Sequence, residues 1–171
     1  MQFETKFDFR IFSTGASFEV GEVGVETFSV PHDAYDPVGF MLRVEGRQIG
    51  FLTDLGHATK LVVERVRRSN VLVLETNHDM KLLQDDPKRP WSVKQRILSR
   101  HGHLSNEAAA SVLEELVTAD LNHVYLGHLS RDCNRPELAY QVVTERLSSA
   151  GAAHVHVYST SQEQRCETLV L

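Results

Sequence analysis

Two short runs of the chain, Val71-Leu72-Val73-Leu74 and Val124-Tyr125-Leu126, are apolar without alternation. A strand with one wet face alternates apolar and polar side chains, so an unbroken apolar run belongs to a strand covered on both sides. Residues 70–75 and 122–127 are therefore expected as interior strands of a sheet flanked by helices. That requirement points to a layered α/β domain.

The neighbouring segments fit this frame. Residues 58–68, 91–101, 106–117 and 136–149 carry helical patterns. Pro90 and Pro136 stand where a first helical turn tolerates proline, and Gly151 follows the last helix. Ser105 or Asn106 can cap the helix over 106–117, and Asn77 or Asp79 a short one over 80–84. The first third reads as strands. Residues 6–12 alternate, with Phe7, Phe9 and Ile11 on one face, and residues 23–30 alternate again. Residues 38–45 and 47–53 are joined at Glu45-Gly46, a tight hairpin turn. Strands over 154–158 and 167–171 would close the chain. The pattern is an antiparallel part followed by a βαβ part, without an internal repeat or long linker.

Composition narrows the function. The chain has 171 residues, enough for one domain with a sizeable core, and a net charge of −5. The charge argues against a protein that coats nucleic acid generally, though it allows a local basic groove. Nine histidines are the unusual count, and histidine is the commonest metal ligand. Cys133 and Cys166 are isolated, which suggests neither a disulfide framework nor a thiolate zinc site. No apolar run suits a signal peptide or the roughly 20-residue membrane helix. A cytoplasmic protein with reduced thiols and no membrane contact is expected.

Three ligand-type residues fall just past strand ends: His32, Asp54 and His128. Loops at the carboxyl edge of a layered sheet are where such folds build sites. Two histidines and a carboxylate suit zinc, manganese or iron, and a carboxylate can bridge two ions. Each alone has an ordinary reading, as a turn residue, a cap or a hydrogen-bonded histidine. Gly102-His103-Leu104-Ser105-Asn106-Glu107 is a second group. A capped helix start there could attract phosphate, and His103 beside it could protonate a leaving oxygen. It could equally be a plain capped helix. Glu75-Thr76-Asn77-His78-Asp79 is a third, able to orient metal-bound histidines or simply to start a helix. Lys81, Lys88, Arg89, Lys94, Arg96 and Arg100 crowd around Trp91. They form either a nucleic-acid contact, with Trp91 stacking on a base, or a solvated helix face.

The motifs occur in a telling order. Val30-Pro31-His32-Asp33-Ala34, Leu52-Thr53-Asp54-Leu55-Gly56 and Leu74-Glu75-Thr76-Asn77-His78-Asp79 come first. Pro90 to Ser99, Gly102-His103-Leu104-Ser105-Asn106 and Tyr125-Leu126-Gly127-His128-Leu129-Ser130 follow. This run resembles the metallo-β-lactamase-fold hydrolases, and more closely the YycJ/WalJ-type branch, along nearly the whole chain. The resemblance implies a four-layer αββα sandwich, a mixed sheet with flanking helices, and a two-metal site using zinc or manganese. It implies His32 as a ligand of the first metal, Asp54 as the bridging aspartate and His128 as a ligand of the second. It places His103 near the scissile phosphate, with Asp33, Glu75, Asn77, His78, Asp79, Ser105 and Asn106 supporting the site or the substrate. The implied substrate is DNA, cut as an exonuclease.

The family's His-x-His-x-Asp-His signature, which supplies four ligands, does not occur in these residues. The expectation is therefore the C-terminal half of the fold, a single partial domain over residues 1–171. It would expose an apolar sheet face and call for its N-terminal half or a second copy as partner. Two other readings stay open: a non-catalytic half-domain that acts by association, and a hydrolase of a small thioester, lactam or cyclic phosphodiester.

Overall fold

The structure is a computed structural model describing residues 9–170. Seven strands form one sheet in sequence order: β1 (Ser17–Val20), β2 (Val23–Ser29), β3 (Val38–Val44), β4 (Arg47–Leu52), β5 (Val71–Glu75), β6 (His123–Gly127) and β7 (His156–Ser159). The helices are α1 (Lys60–Val66), α2 (Met80–Asp85), α3 (Trp91–Ile97), α4 (Asn106–Leu116) and α5 (Pro136–Ser149). Strands β1 to β4 pair antiparallel, and β4 to β7 pair parallel through helical crossovers. This is the expected mixed sheet.

The β3–β4 hairpin shows why its register holds. Glu45 and Gly46 have φ of 48° and 78°, so both lie in the left-handed region. A two-residue loop of that kind matches the twist of the strands it joins, and Val44 pairs with Arg47 across it.

One sheet face carries the core. Leu52, Leu74 and Leu126 are cross-strand neighbours, as are Gly50, Leu72 and Val124, and all are buried. Val62, Val63 and Val66 of α1, Leu113 of α4 and Val143 of α5 pack into the same cluster. Each buried leucine there is worth about 1.5–3 kcal/mol. The other face carries Phe40, Phe51, Val73, Tyr125 and Tyr158, one cross-strand row, and these are half-buried. The expected bare face is thus partly covered by the chain itself. Phe12 packs on Phe18 and Phe40, with ring centroids 5.4 and 6.3 Å away. Cys166, Glu167 and Leu169 border a hollow over Phe51, Val73 and Tyr125.

Three expected elements differ. Residues 6–8 of the expected first strand lie outside the described residues, and 9–12 are irregular. The chain turns at Ser13, whose carbonyl accepts from Ala16, and the edge strand forms at 17–20 instead. Residues 167–170 pair with no strand because they lie over the sheet face, and 171 lies outside the described residues. The helix expected to reach His101 stops at Ile97, where the His103 amide folds back onto the Ile97 carbonyl.

Strand direction positions the site. β3 runs against both β2 and β4, so β2, β4, β5 and β6 all point the same way. Their carboxyl ends share one edge.

Candidate metal centre

His32 follows β2, Asp54 follows β4, Glu75 ends β5 and His128 follows β6. The loops are tied together by backbone. Gly56 donates to the Pro31 carbonyl, Asp33 to His101, and Asn77 to Leu104, which holds the His103 segment against the end of β5. Asp54 and His128 adopt φ of 57° and 56°. Besides the hairpin residue Glu45, they are the described non-glycine residues with positive φ. Such backbone costs roughly 1–2 kcal/mol, and it is retained at both candidate ligands.

Three imidazoles face one space. The His32 and His103 ring centroids are 4.9 Å apart, and those of His103 and His128 are 5.1 Å apart. Each Nδ1 has a partner: His32 meets the Gly102 carbonyl at 2.9 Å, and His103 and His128 meet Glu75 Oε1 at 2.6 and 2.9 Å. These partners are acceptors, so each Nδ1 carries the proton and donates it. The Nε2 lone pairs are left for a ligand, the arrangement that orients histidines around a metal.

Asp54 completes the group. Its Oδ1 lies 3.7 Å from Nε2 of both His32 and His128. That is too long for a hydrogen bond. It is the spacing of two ligands of one ion, since atoms bonded about 2.0–2.2 Å from a common zinc lie roughly 3.4–3.8 Å apart. A His32–Asp54–His103 set has its ligand atoms within 4.8 Å of one another. The residues therefore fit a divalent metal. Glu75, His103 and His128 are also close enough to count as a ligand set. Their contacts, at 2.6 and 2.9 Å, are those of hydrogen bonds, so Glu75 is an orienting group.

Glu75 is fully buried and accepts a third hydrogen bond, from the Leu55 amide at 2.9 Å. Burial pushes its pKa up, but the bonds from His103, His128 and Leu55 prevail and hold it below the usual value. The same contact raises His128 above the ordinary histidine value, against the opposing effect of burial. Glu75→Gln keeps the size but sets an amide N–H against a donor. It is expected to weaken zinc affinity about 10–100-fold and to cost about 1–3 kcal/mol of stability. Zinc titration and urea unfolding measure both, and unchanged zinc affinity would remove Glu75 from the centre.

A family model described as the β-lactamase superfamily domain matches residues 2–128, a span that contains all five residues of the group. The chain belongs to the β-lactamase superfamily. Among its relatives in that superfamily, it is 38% identical over 141 residues to the exodeoxyribonuclease YycJ of Bacillus anthracis, covering 82% of this chain and 53% of that protein. It is 33% identical over 157 residues to the exodeoxyribonuclease WalJ of Streptococcus pneumoniae, covering 90% and 58%. The chain thus spans little more than half the length of these relatives. The crystal structure of the metallo-β-lactamase fold protein YhfI from Bacillus subtilis superimposes with a TM-score of 0.63 at 11% identity, covering 87% of this chain and 51% of that one.

In this β-lactamase superfamily chain, a cavity of about 600 Å³ opens on the candidate ligands. His32, Asp33, Asp54, Asn77, His103 and His128 line it. Asn77 also donates to the His128 carbonyl at 2.9 Å, which steadies the strained backbone there. Glu75 sits behind the histidines and does not line it, and four further sequence candidates do not either. Asp79 caps α2 by accepting from Leu82, and Ser105 caps α4 by accepting from Ala108. Asn106 is buried and pairs with Asn134. The expected phosphate site at the α4 start is therefore turned away from the cavity. Trp91 is exposed but also lies off the cavity wall.

His78 is the fourth. It is 1% exposed, and neither ring nitrogen has a partner among the described residues. Burial lowers its pKa from 6.5 to about 4. Between those values the unfolded chain binds a proton that the folded chain does not, so stability is lost as pH falls through that window. The expected loss is about 3 kcal/mol. Urea unfolding near neutral pH and near pH ~4.5 should show it, and His78→Phe should flatten it; equal slopes in both proteins would refute the assignment.

Sequence reasoning missed the pieces that join the loops. The Gly102 carbonyl holds His32, Leu55 holds Glu75, and Asn134 donates to the Thr76 carbonyl at 2.7 Å. Backbone groups leave no mark in a sequence, although Gly56 and Gly102 beside the ligand motifs were a readable signal of close packing.

Proposed function

We propose that the chain carries the phosphodiester-cleaving centre of a metal-dependent nuclease, acting on DNA as an exonuclease. The observation that carries this reading is Asp54 Oδ1 standing 3.7 Å from Nε2 of both His32 and His128. His32, Asp54 and His128 would hold divalent ions, zinc or manganese, with Asp54 offered to two of them. Bound there, such ions supply a nucleophilic hydroxide from water at neutral pH and stabilise charge building on phosphorus. His103, fixed through Nδ1 by Glu75, presents Nε2 to the cavity and can hold a proton for the departing oxygen. The names of the two relatives support DNA as substrate.

A second polypeptide segment belongs to this reading. The half-buried row Phe40, Phe51, Val73, Tyr125 and Tyr158 offers it an apolar seat, and three protein ligands shared between two ions would leave coordination positions for it to fill. An N-terminal half supplied in trans, or a second copy, would take that seat. No helix among the described residues is long and apolar enough to cross a membrane.

The test is zinc and manganese titration of the chain, alone and mixed with the N-terminal half of a relative. An assay on 5′-phosphorylated duplex DNA follows. Weak binding alone, tighter binding in the mixture, and nucleotide release by the mixture are expected. A metal-loaded mixture that releases nothing from DNA but cleaves a small ester would replace the nuclease reading. Metal affinity unchanged by His32→Ala would overturn the ligand assignment.

A further inference from the structure

The six basic residues crowded between 81 and 100 are used unequally. Lys81 pairs with Asp85, and Lys88 with Asp132. Lys94 is buried and donates to the Gln84 carbonyl, and Arg100 meets His57. Only Arg89 and Arg96 of the six line the cavity of the candidate metal centre. Arg89 is spent on structure: it bonds Asp86 at 2.6 Å, Asp132 at 3.2 Å and the Cys133 sulfur at 3.4 Å. These contacts brace the loop after β6.

Arg96 differs. Its side chain is 68% exposed, and its Nε donates to Asp33. Its two terminal amino groups have no partner among the described residues. Asp33 in turn lies 3.7 Å from His32 Nε2, so the guanidinium stands one ion pair away from a candidate ligand. Val93, one turn before Arg96 on α3, and Ile97, one turn after Val93, line the same cavity as Arg96. A cation with free, planar N–H groups flanked by two aliphatic side chains is matched to a phosphate joined to a sugar. Arg131 also lines the cavity, but it reaches in from the loop after β6 and pairs with Glu163, with no link to the ligand group.

We propose that Arg96, with Val93 and Ile97, forms a subsite for a backbone phosphate of a nucleic-acid strand, next to the phosphate being cut. The proposal rests on the phosphodiesterase reading above. Arg96 releases Asp33 as the strand enters and binds the phosphate through its terminal amino groups. A small diester has no second phosphate to offer, so the subsite favours a strand.

The test uses a labelled, hydrolysis-resistant phosphorothioate oligothymidylate of about twelve nucleotides, with manganese present, read by fluorescence anisotropy. Arg96→Gln should weaken binding at least about tenfold and lower the slope of log affinity against log salt by roughly 0.7. Arg96→Lys should restore the slope but only part of the affinity, because it keeps the charge and loses the fork. Arg146→Gln, whose arginine pairs with Glu114 on the helical side, should bind as the unaltered chain does. Arg96→Gln binding like the unaltered chain overturns the subsite. Hydrolysis of bis(p-nitrophenyl) phosphate by the unaltered chain, mixed with the N-terminal half, separates the two claims. Hydrolysis without strand binding overturns the subsite and leaves the phosphodiesterase. Strand binding that depends on Arg96 without hydrolysis overturns the phosphodiesterase alone. Neither signal overturns both.

Discussion

Asp54→Gly and Asp54→Ala should both lose divalent metal, while the glycine variant is the more stable of the two. The carboxylate lies 3.7 Å from Nε2 of both His32 and His128, so its removal would take a candidate ligand from beside each. Zinc affinity should fall at least about 100-fold, beyond the 10–100-fold typical of an orienting residue. The backbone tells a second story. Asp54 sits at φ 57°, where a Cβ crowds the following carbonyl. Glycine removes that contact and alanine keeps it, without the polar side chain that lets aspartate tolerate the region. The glycine variant should therefore exceed the alanine variant by about 1 kcal/mol in urea unfolding. Metal retained by either variant would remove Asp54 from the centre. Alanine more stable than glycine would contradict the backbone conformation. The combination would show strain kept at a site because the ligand must be there.

Gly102→Ala should cripple both fold and site. A Cβ at residue 102 would lie 2.1 Å from the Ile97 carbonyl oxygen and 2.3 Å from that of Arg96. Both are backbone atoms, so no side chain can swing aside. The same seam is closed from the other side by Gly56, whose Cβ would fall 2.5 Å from the Gly102 nitrogen. Forcing the seam apart separates the Asp54 loop from the turn that carries His103. It also moves the Gly102 carbonyl away from His32 Nδ1, now 2.9 Å distant. A loss of about 3 kcal/mol or more is expected, the size that overpacking produces. At roughly 2–4 °C per kcal/mol for a chain of this length, the melting temperature should drop by about 6–12 °C. Weaker zinc binding should accompany it. A drop under about 2 °C would mean the two loops are not packed as described.

Much of the fold was legible because its signals are local. The apolar runs at 71–74 and 124–126 became β5 and β6, and Glu45-Gly46 became the two-residue hairpin turn. The alternation over 6–12 was as clean as that over 23–30, yet residues 9–12 are irregular. A strand needs a neighbour, and periodicity does not say whether one is there. The weaker cue of Phe18 and Val20 before Gly21 marked the true edge strand. Residues 167–170 went the same way, covering the sheet face in place of extending the sheet.

At the site, that the strands before His32, Asp54 and His128 end at one edge is a fact of the folded sheet. Residue type, position after a strand and family motif put these three forward as candidate ligands, and those signals were legible along the chain. The roles of Glu75, Ser105 and Asn106 were not. All three are polar residues beside a motif, and the sequence offers them equally to metal, substrate or helix cap. Tertiary structure decided: burial turned Glu75 into the shared acceptor of two histidines, and capping and amide pairing turned Ser105 and Asn106 away from the cavity. The reason is that a local pattern sets which groups a segment can present. Which of them meet depends on backbone carbonyls, glycine seams and distances between segments far apart in the chain, and those exist only once the sheet has formed.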